Sequence, residues 1–397
     1  MSKEMTEGQK LAEQLLYTRP HAAEASEELN KAADEFCEGY KAFLDNGKTE
    51  RDVTTYTVKL LEENGYVPFV PGTNYAPGAK VYLNNRGKSV IAATMGQKPL
   101  SEGVHMNIAH TDAPRLDLKP NPLYENNELA LLKTHYYGGI RKYQWVAMPL
   151  ALHGVICKAD GTQVNVCIGE EEGDPVFCIT DLLPHLSADQ NERKLREGVK
   201  GEELNIVVGS LPFADKEVKD RVKLLAMKLL NDKYGITERD FISAELEAVP
   251  AFKAKDVGFD RGLIGAYGHD DRVDAYPALI AEMETKLPVY TTVCVLTDKE
   301  EIGSEGVTGL NSMYVFHFVQ QLCKAQGADD ILCFQNSKCR SADVTAAFDP
   351  TFPSAFEAQN STFVGKGVAI SKYTGSRGKG GANDASAELV SYFTRIF

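Results

Sequence analysis

The sequence predicts an α/β sandwich interrupted by a β-rich insertion, and three observations predict it. Segments with apolar residues at helical spacing alternate with short apolar runs bounded by Gly and Pro. That is the pattern of buried strands covered by helices. Clusters of His, Asp and Glu fall just past the ends of those runs: His110-Thr111-Asp112, Asp270-Asp271-Arg272, Glu300-Glu301 and Ser341-Ala342-Asp343. In open α/β sheets, chemistry sits in the crevice beyond the carboxyl ends of the strands. Between residues 124 and 238 the character changes to short strands and a charged stretch. The expected organisation is a main domain at 1–123 and 239–397, split by an inserted β-rich domain at 124–238.

In chain order, residues 5–65 read as mostly helical. Leu11, Leu15 and Leu16, then Phe36, Tyr40, Phe43 and Leu44, recur at helical spacing, and Asp45-Asn46-Gly47 is a stop signal. A second helix is expected from Glu50 to Asn64, closed by Gly65. From Val67 the period changes. VPFV, KVYL and SVIAATM are β-like runs, with a turn at Asn84-Asn85-Arg86-Gly87. The alternation in GVHMNIAHTDAP predicts a strand ending at His110. In the insertion, WVAMPLALHGVICK, QVNVCIG and PVFCIT read as strands, and Asp215 to Lys233 as a helix. Beyond it come a helix over Asp271–Thr285, a buried strand in YTTVCVLT, a helix over 312–326, and a last helix from about Asn383. Alternating strands and helices predict a largely parallel core. The apolar Ile396-Phe397 lies inside a helical pattern with no stop signal, so the native chain is expected to continue.

Composition narrows the function. The chain has 397 residues, 43% hydrophobic and 25% charged, which is ordinary globular composition with ample length for a core. The net charge of −13 and the lack of a basic block argue against nucleic acid as a partner, and suit a protein that handles cations. The eight cysteines include no C-x-x-C, and several lie in apolar runs, so they read as reduced buried thiols. The polar N-terminus lacks a signal core, and no run approaches the ~20 apolar residues of a membrane span. No membrane partner is expected, and a cytoplasmic location is.

The acidic clusters carry the chemistry. Adjacent carboxylates repel and resist ionising together unless a cation sits beside them. At Glu300-Glu301 one carboxylate could hold a metal while the other works as a base; the plainer alternative is a solvated acidic turn. In His110-Thr111-Asp112, Asp112 can accept the second imidazole N–H and fix the tautomer of a ligating His110. Asp270 at a helix start has an alternative reading as an N-cap. A mixed His and carboxylate set suits zinc or another borderline divalent metal. The loop SRGKGGAND (376–384) lacks the G-x-x-x-x-G-K-[ST] order of a phosphate loop, and its Arg377 and Lys379 read as exposed.

HTDAP at 110–114, GHDDRVDAYPAL at 268–279, TDKEEIGS at 297–304 and SADV at 341–344 together resemble the aspartyl aminopeptidase and vacuolar aminopeptidase I family of dizinc metallo-aminopeptidases. YGGI at 137–140 and LLPHL at 182–186 extend the likeness through the insertion. The resemblance implies a three-layer α/β/α sandwich of the zinc-peptidase type, with an inserted domain that mediates dimerisation and covers the site. It implies two Zn2+ ions per subunit, with Co2+ or Mn2+ as alternatives. Asp270 would bridge the ions, His110 and Asp343 would complete one, and Glu301 would ligate the other. Glu300 would be the general base acting on a metal-bound water, and Asp112 would orient His110. The substrates implied are short peptides with a free N-terminus. The partner implied is a second copy of the chain, often in a tetrahedral dodecamer.

The sequence departs from the family's pattern in three places. The family's last ligand, a His in a C-terminal motif, would lie beyond Phe397. The P-H-x-x-x-H pattern that sends a His to a neighbouring subunit keeps His185 but has Asp189 at the second His. The Lys of acidic-substrate members falls on Ser371, with Lys372 one position later as the substrate-side residue. Two other readings stay open: a dizinc carboxypeptidase or deacylase, and a non-catalytic assembly protein with a degenerate site.

Overall fold

The computed structural model describes residues 5–374, 378–381 and 383–396. Arg377 and Phe397 lie outside the described residues. The chain divides into two units, Gly39–Val344 and the remainder.

Gly39–Val344 is built on two large sheets, with a two-stranded ribbon of Lys255–Val257 and Leu263–Gly265 beside them in sequence. The first has six strands in the order Val67–Pro68, Lys80–Asn85, Ser89–Thr94, Thr291–Thr297, Val104–His110, Lys338–Ser341. Its central strand is Thr291–Thr297, TTVCVLT, buried at all but one position. A run of β-branched and apolar residues with both faces covered needs no polar alternation. Cys294 and Leu296 point to one side, where Tyr40, Phe43, Leu44, Val53, Leu61 and Leu279 of three helices (Glu27–Asn46, Glu50–Glu63, His269–Glu284) pack. Val293 and Val295 point to the other, against Val315, Phe318, Val319 and Leu322 of helix Tyr314–Gln326. Each such side chain stabilises the fold by about 1.5–3 kcal/mol. This is the expected three-layer α/β/α sandwich.

The sheet is largely parallel, as expected, with one reversed strand, Ser89–Thr94. Its two antiparallel pairings are Lys80–Asn85 with Ser89–Thr94 and Ser89–Thr94 with Thr291–Thr297. The reason is the short turn at Arg86 and Gly87, both at positive φ. So short a connection can only reverse the chain, whereas a parallel pair needs a long crossover.

Register positions the site. Thr291–Thr297 and Val104–His110 run parallel with Thr297 opposite His110. Lys338–Ser341 runs parallel on the other side of Val104–His110, with Ser341 opposite Ile108. Asp343, two residues on, is therefore level with His110. Three chain segments leave the sheet at one edge, each carrying a predicted site residue.

The second sheet has seven strands, all antiparallel, in the order Gln163–Ile168, Leu150–Cys157, Ala244–Pro250, Arg115–Asn126, Leu129–Tyr137, Asn205–Gly209, Cys178–Ile179. Its core joins Leu116, Trp145, Leu150, Ile156 and Ile206 to Val222 and Ala226 of helix Arg221–Tyr234. That helix starts later than its apolar spacing predicts, because Asp220 sits at a left-handed φ of 51°. Together the two sheets make the expected α/β sandwich with a β-rich domain.

In the remainder, helix Glu7–Leu15 buries no residue, and Phe348 stacks on Phe363 at 5.5 Å. Helix Ala387–Thr394 begins after its expected start, where the Ser386 hydroxyl accepts from Leu389 N–H. Among the described residues, no helix is long and apolar enough to cross a membrane.

Candidate metal centre

His110 closes the floor of the site, with a side chain only 2% exposed. Its Nε2 lies 3.1 Å from Asp270 Oδ1, 3.7 Å from Glu300 Oε2 and 4.0 Å from Asp343 Oδ1. Those three carboxylates are about half exposed, at 50%, 49% and 60%, so the cluster opens to solvent on one side. Two ligand-compatible groups share His110: one with Asp270 and Glu301, the other with Asp271 and Asp343.

Helix His269–Glu284 delivers the two aspartates through a non-helical start, with Gly268 in the N-cap position at φ +87°. Asp270 does not act as the cap; its carboxylate is turned to His110. A Cβ at Gly268 would run into the Arg272 guanidinium. Arg272 is fully buried and donates to Thr111 O at 3.0 Å and to Lys48 O at 3.1 Å. The arginine of D-D-R thus ties the helix start to the chain leaving the His110 strand. The Glu300–Ile302 turn is flanked by Lys299 and Gly303, both left-handed, which sharpens the exit from the central strand.

Asp112 organises the centre from behind. It is fully buried, and its carboxylate accepts from Glu300 N–H and Glu301 N–H at 3.2 Å each, and from the Tyr137 hydroxyl at 2.8 Å. The His110 ring contributes Nδ1 at 3.3 Å from Oδ1 and 3.0 Å from the Asp112 carbonyl. One carboxylate therefore holds the imidazole and both glutamate amides in place. Tyr137 ends a strand of the second sheet and lies under the Arg115 guanidinium, 3.9 Å away. Arg115 is itself held by Glu50, Glu247 and Asp117 at 3.1, 3.1 and 2.9 Å.

The electrostatics are those of a cation cradle. Burial would lower the His110 imidazolium, but hydrogen bonds with Asp112 and Asp270 outweigh it and push the group up to about 11. Burial, then the Asp274 charge, lifts Asp271 to about 8; burial, then Asp270, lifts Glu301 to about 7. Glu300 and Asp343 also rise, chiefly through burial. Asp112 moves down: burial would raise it, but the His110 and Tyr137 donors win. Both Asp271 carboxylate oxygens are buried with no hydrogen-bond partner among the described residues. Orphaned buried acceptors beside an imidazole and three further carboxylates fit a divalent cation of the zinc type.

A pH dependence follows. Each raised carboxyl must lose its proton to take up a cation, so zinc binding strengthens as pH rises through about 7 and 8 and weakens as it falls. Calorimetric titration of metal-free protein in buffers of different protonation enthalpy should show proton release, larger at about pH 6 than at about pH 9. Uptake without proton release would exclude these groups as ligands.

Of the residues predicted from sequence, His110, Asp112, Asp270, Glu300, Glu301 and Asp343 converge. His185 is exposed and no hydrogen bond among the described residues ties it to the cluster. Lys372 is exposed in the other unit. Sequence reasoning assigned no role to Asp271, although D-D-R places it beside Asp270. It also missed Tyr137, whose signal was the YGGI stretch. Tyr137→Phe removes one donor from a fully buried carboxylate without changing shape. Zinc affinity is expected to fall roughly 10-fold with the fold intact, measured by competition with a chelating dye; unchanged affinity would exclude Tyr137 from this support.

Residues 43–396 match the family model described as aminopeptidase I zinc metalloprotease (M18). A probable M18 family aminopeptidase 1 of Clostridium acetobutylicum is 49% identical over 365 residues, which is 90% of this chain and 78% of that protein. The crystal structure of aminopeptidase I from the same organism superposes with a TM-score of 0.90 at 45% identity, covering 96% of this chain and 85% of that one. The S. cerevisiae mApe1 dodecamer shares the fold at a TM-score of 0.67 and 20% identity, over 84% of this chain and 76% of that one.

Proposed function

The chain belongs to the M18 family of zinc metalloproteases and is a metallo-aminopeptidase, a hydrolase acting on peptide bonds, and we propose that its reaction is carried by the cluster at the edge of the six-stranded sheet. The observation that supports this most is the register: His110, Asp343 and the Glu300-Glu301 turn leave adjacent strands level with one another and meet Asp270 there. In this proposal two Zn2+ ions are held per subunit, with Co2+ or Mn2+ able to replace them. Asp270 would be shared between the ions, His110 and Asp343 would hold one, and Glu301 would hold the other. Bound divalent cations supply Lewis-acid polarisation of the scissile carbonyl and of a water. Glu300 would be the general base, taking a proton from the attacking water and returning it to the leaving amine. Asp112 keeps His110 in its ligating tautomer and anchors the amides of both glutamates.

The substrates proposed are short peptides with a free N-terminus. The chain is proposed to work in the cytoplasm as a homo-oligomer, in a tetrahedral dodecamer, with the distant mApe1 dodecamer as the supporting precedent. Within it, exposed His185 would serve a neighbouring subunit's centre and Lys372 would face substrate. The main-domain parts at 1–123 and 239–397 and the insertion at 124–238 are part of the same proposal, although strands Arg115–Asn126 and Ala244–Pro250 of the seven-stranded sheet extend past the bounds of the insertion.

The test is release of the N-terminal residue from a panel of peptides, free and N-acetylated, with and without chelator. Cleavage confined to free-amine peptides and abolished by chelator is expected. Cleavage of acetylated peptides, or from the carboxyl end, would move the reading to a deacylase or carboxypeptidase.

A further inference from the structure

A cavity of about 490 Å³ lies beside the proposed reaction centre, lined by Ile140, Arg141, Lys142, Tyr143, Leu195 and Arg196. Its distance from the centre follows from the chain. Gly138 sits at φ +71°, and a Cβ there would lie 3.1 Å from Glu301 Oε2. Ile140 is two residues on, so its Cα is within about 7 Å of that of Gly138. The cavity wall thus starts roughly two peptide residues from the Glu301 carboxylate.

The lining is cationic in an acidic protein. The chain has 56 acidic against 43 basic residues, yet three cations gather here. Arg141 lies over the Tyr143 ring at 5.4 Å and Lys142 over the Tyr136 ring at 5.6 Å. Neither pairs with a carboxylate among the described residues. Among the described residues Arg196 pairs only with its neighbour Glu197, at 3.2 Å and with both side chains largely exposed, an arrangement worth little. Both walls are braced. The turn Lys142–Gln144 leads into buried Trp145, and the turn Leu195–Glu197 leads to buried Val199; both are core residues of the second sheet. A preformed concave site with unpaired cations selects an anion, and braced walls lower the cost of ordering.

We propose that this cavity binds a carboxylate of the peptide whose N-terminus occupies the proposed metal centre. The carboxylate is the free C-terminus of a chain of about three to five residues, at about 3.3–3.6 Å per residue, or an acidic side chain at that depth. The inference rests on the aminopeptidase reading and deepens it: the site measures the peptide from both ends and favours short peptide acids.

The experiment compares kcat/KM for peptides of two to six residues as free acids and as C-terminal amides, all with the N-terminal residue released fastest. Peptide amides with Glu or Gln at the third or fourth place form a second arm. The acid is expected to exceed the amide roughly tenfold at three to five residues, and in an Arg141→Gln, Lys142→Gln double variant the ratio falls toward one. A Glu-over-Gln preference with no acid-over-amide preference would assign the carboxylate to a side chain. Equal rates in both arms, or a ratio that survives the double variant, overturn the proposal. In parallel, N-acetylated tetrapeptide acid and amide are titrated calorimetrically into chelator-treated protein. Tighter binding of the acid, lost in the double variant, supports the cavity even if no peptide is cleaved; equal binding counts against it. Failure of the cavity and failure of the aminopeptidase reading are thereby separate results.

Discussion

Glu300→Gln is expected to lower turnover by roughly 10²–10⁴-fold and to leave zinc content unchanged. The two adjacent glutamates are not equivalent. Glu301 belongs to a ligand-compatible group with His110 and Asp270, whereas Glu300 belongs to neither group. Its carboxylate is 49% exposed and its Oε2 lies 3.7 Å from His110 Nε2, beside the cluster and open to solvent. That is where a proton carrier can reach both an attacking water and a leaving amine. Glutamine keeps the shape and leaves the backbone N–H to Asp112 in place, so the change isolates proton transfer from architecture. Loss of kcat with KM and metal stoichiometry preserved is the expected signature. A variant that turns over normally removes Glu300 from the base role, and one that loses zinc makes it a ligand.

Asp270→Ala is expected to lose both ions and to reduce activity by roughly 10³-fold or more. Asp270 stands 3.1 Å from His110 and shares a ligand-compatible group with Glu301, on the half-exposed side of the site. Asp271, fully buried, shares the other group with Asp343. Asp271→Ala therefore serves as the comparison and is expected to strip at most one ion. Zinc counted by plasma mass spectrometry after dialysis reads both variants. Retention of both ions by Asp270→Ala, with loss of both by Asp271→Ala, would transfer the bridge to Asp271.

Much of this site could be read without coordinates because strand ends announce themselves. The apolar run before Asp298 and the alternation before His110 end abruptly in polar, metal-compatible residues. A period change is a local property of the chain, and local patterns survive in sequence. Asp271 was less legible. Next to Asp270 at a helix start it could be a ligand, a cap or a solvated acid, and only its burial with two unpartnered oxygens separates these. Tyr137 was less legible still. It lies at the end of a strand in the other sheet, where its periodicity reports burial and nothing about the Asp112 carboxylate it meets.

The sequence by itself determined the layer architecture, the β-rich interruption, and the kinds of side chain gathered at the strand ends, since hydrophobic period and residue chemistry act over a few residues. Tertiary structure alone decided which ends are neighbours. His110 meets Asp270 across 160 residues, and Asp112 holds the Glu301 amide across 189. Those contacts depend on strand register, where a slip of one residue would turn every side chain to the opposite face. The Tyr137 support and the cationic cavity two residues beyond Gly138 have the same origin: each is set by packing between distant segments, which no local pattern encodes.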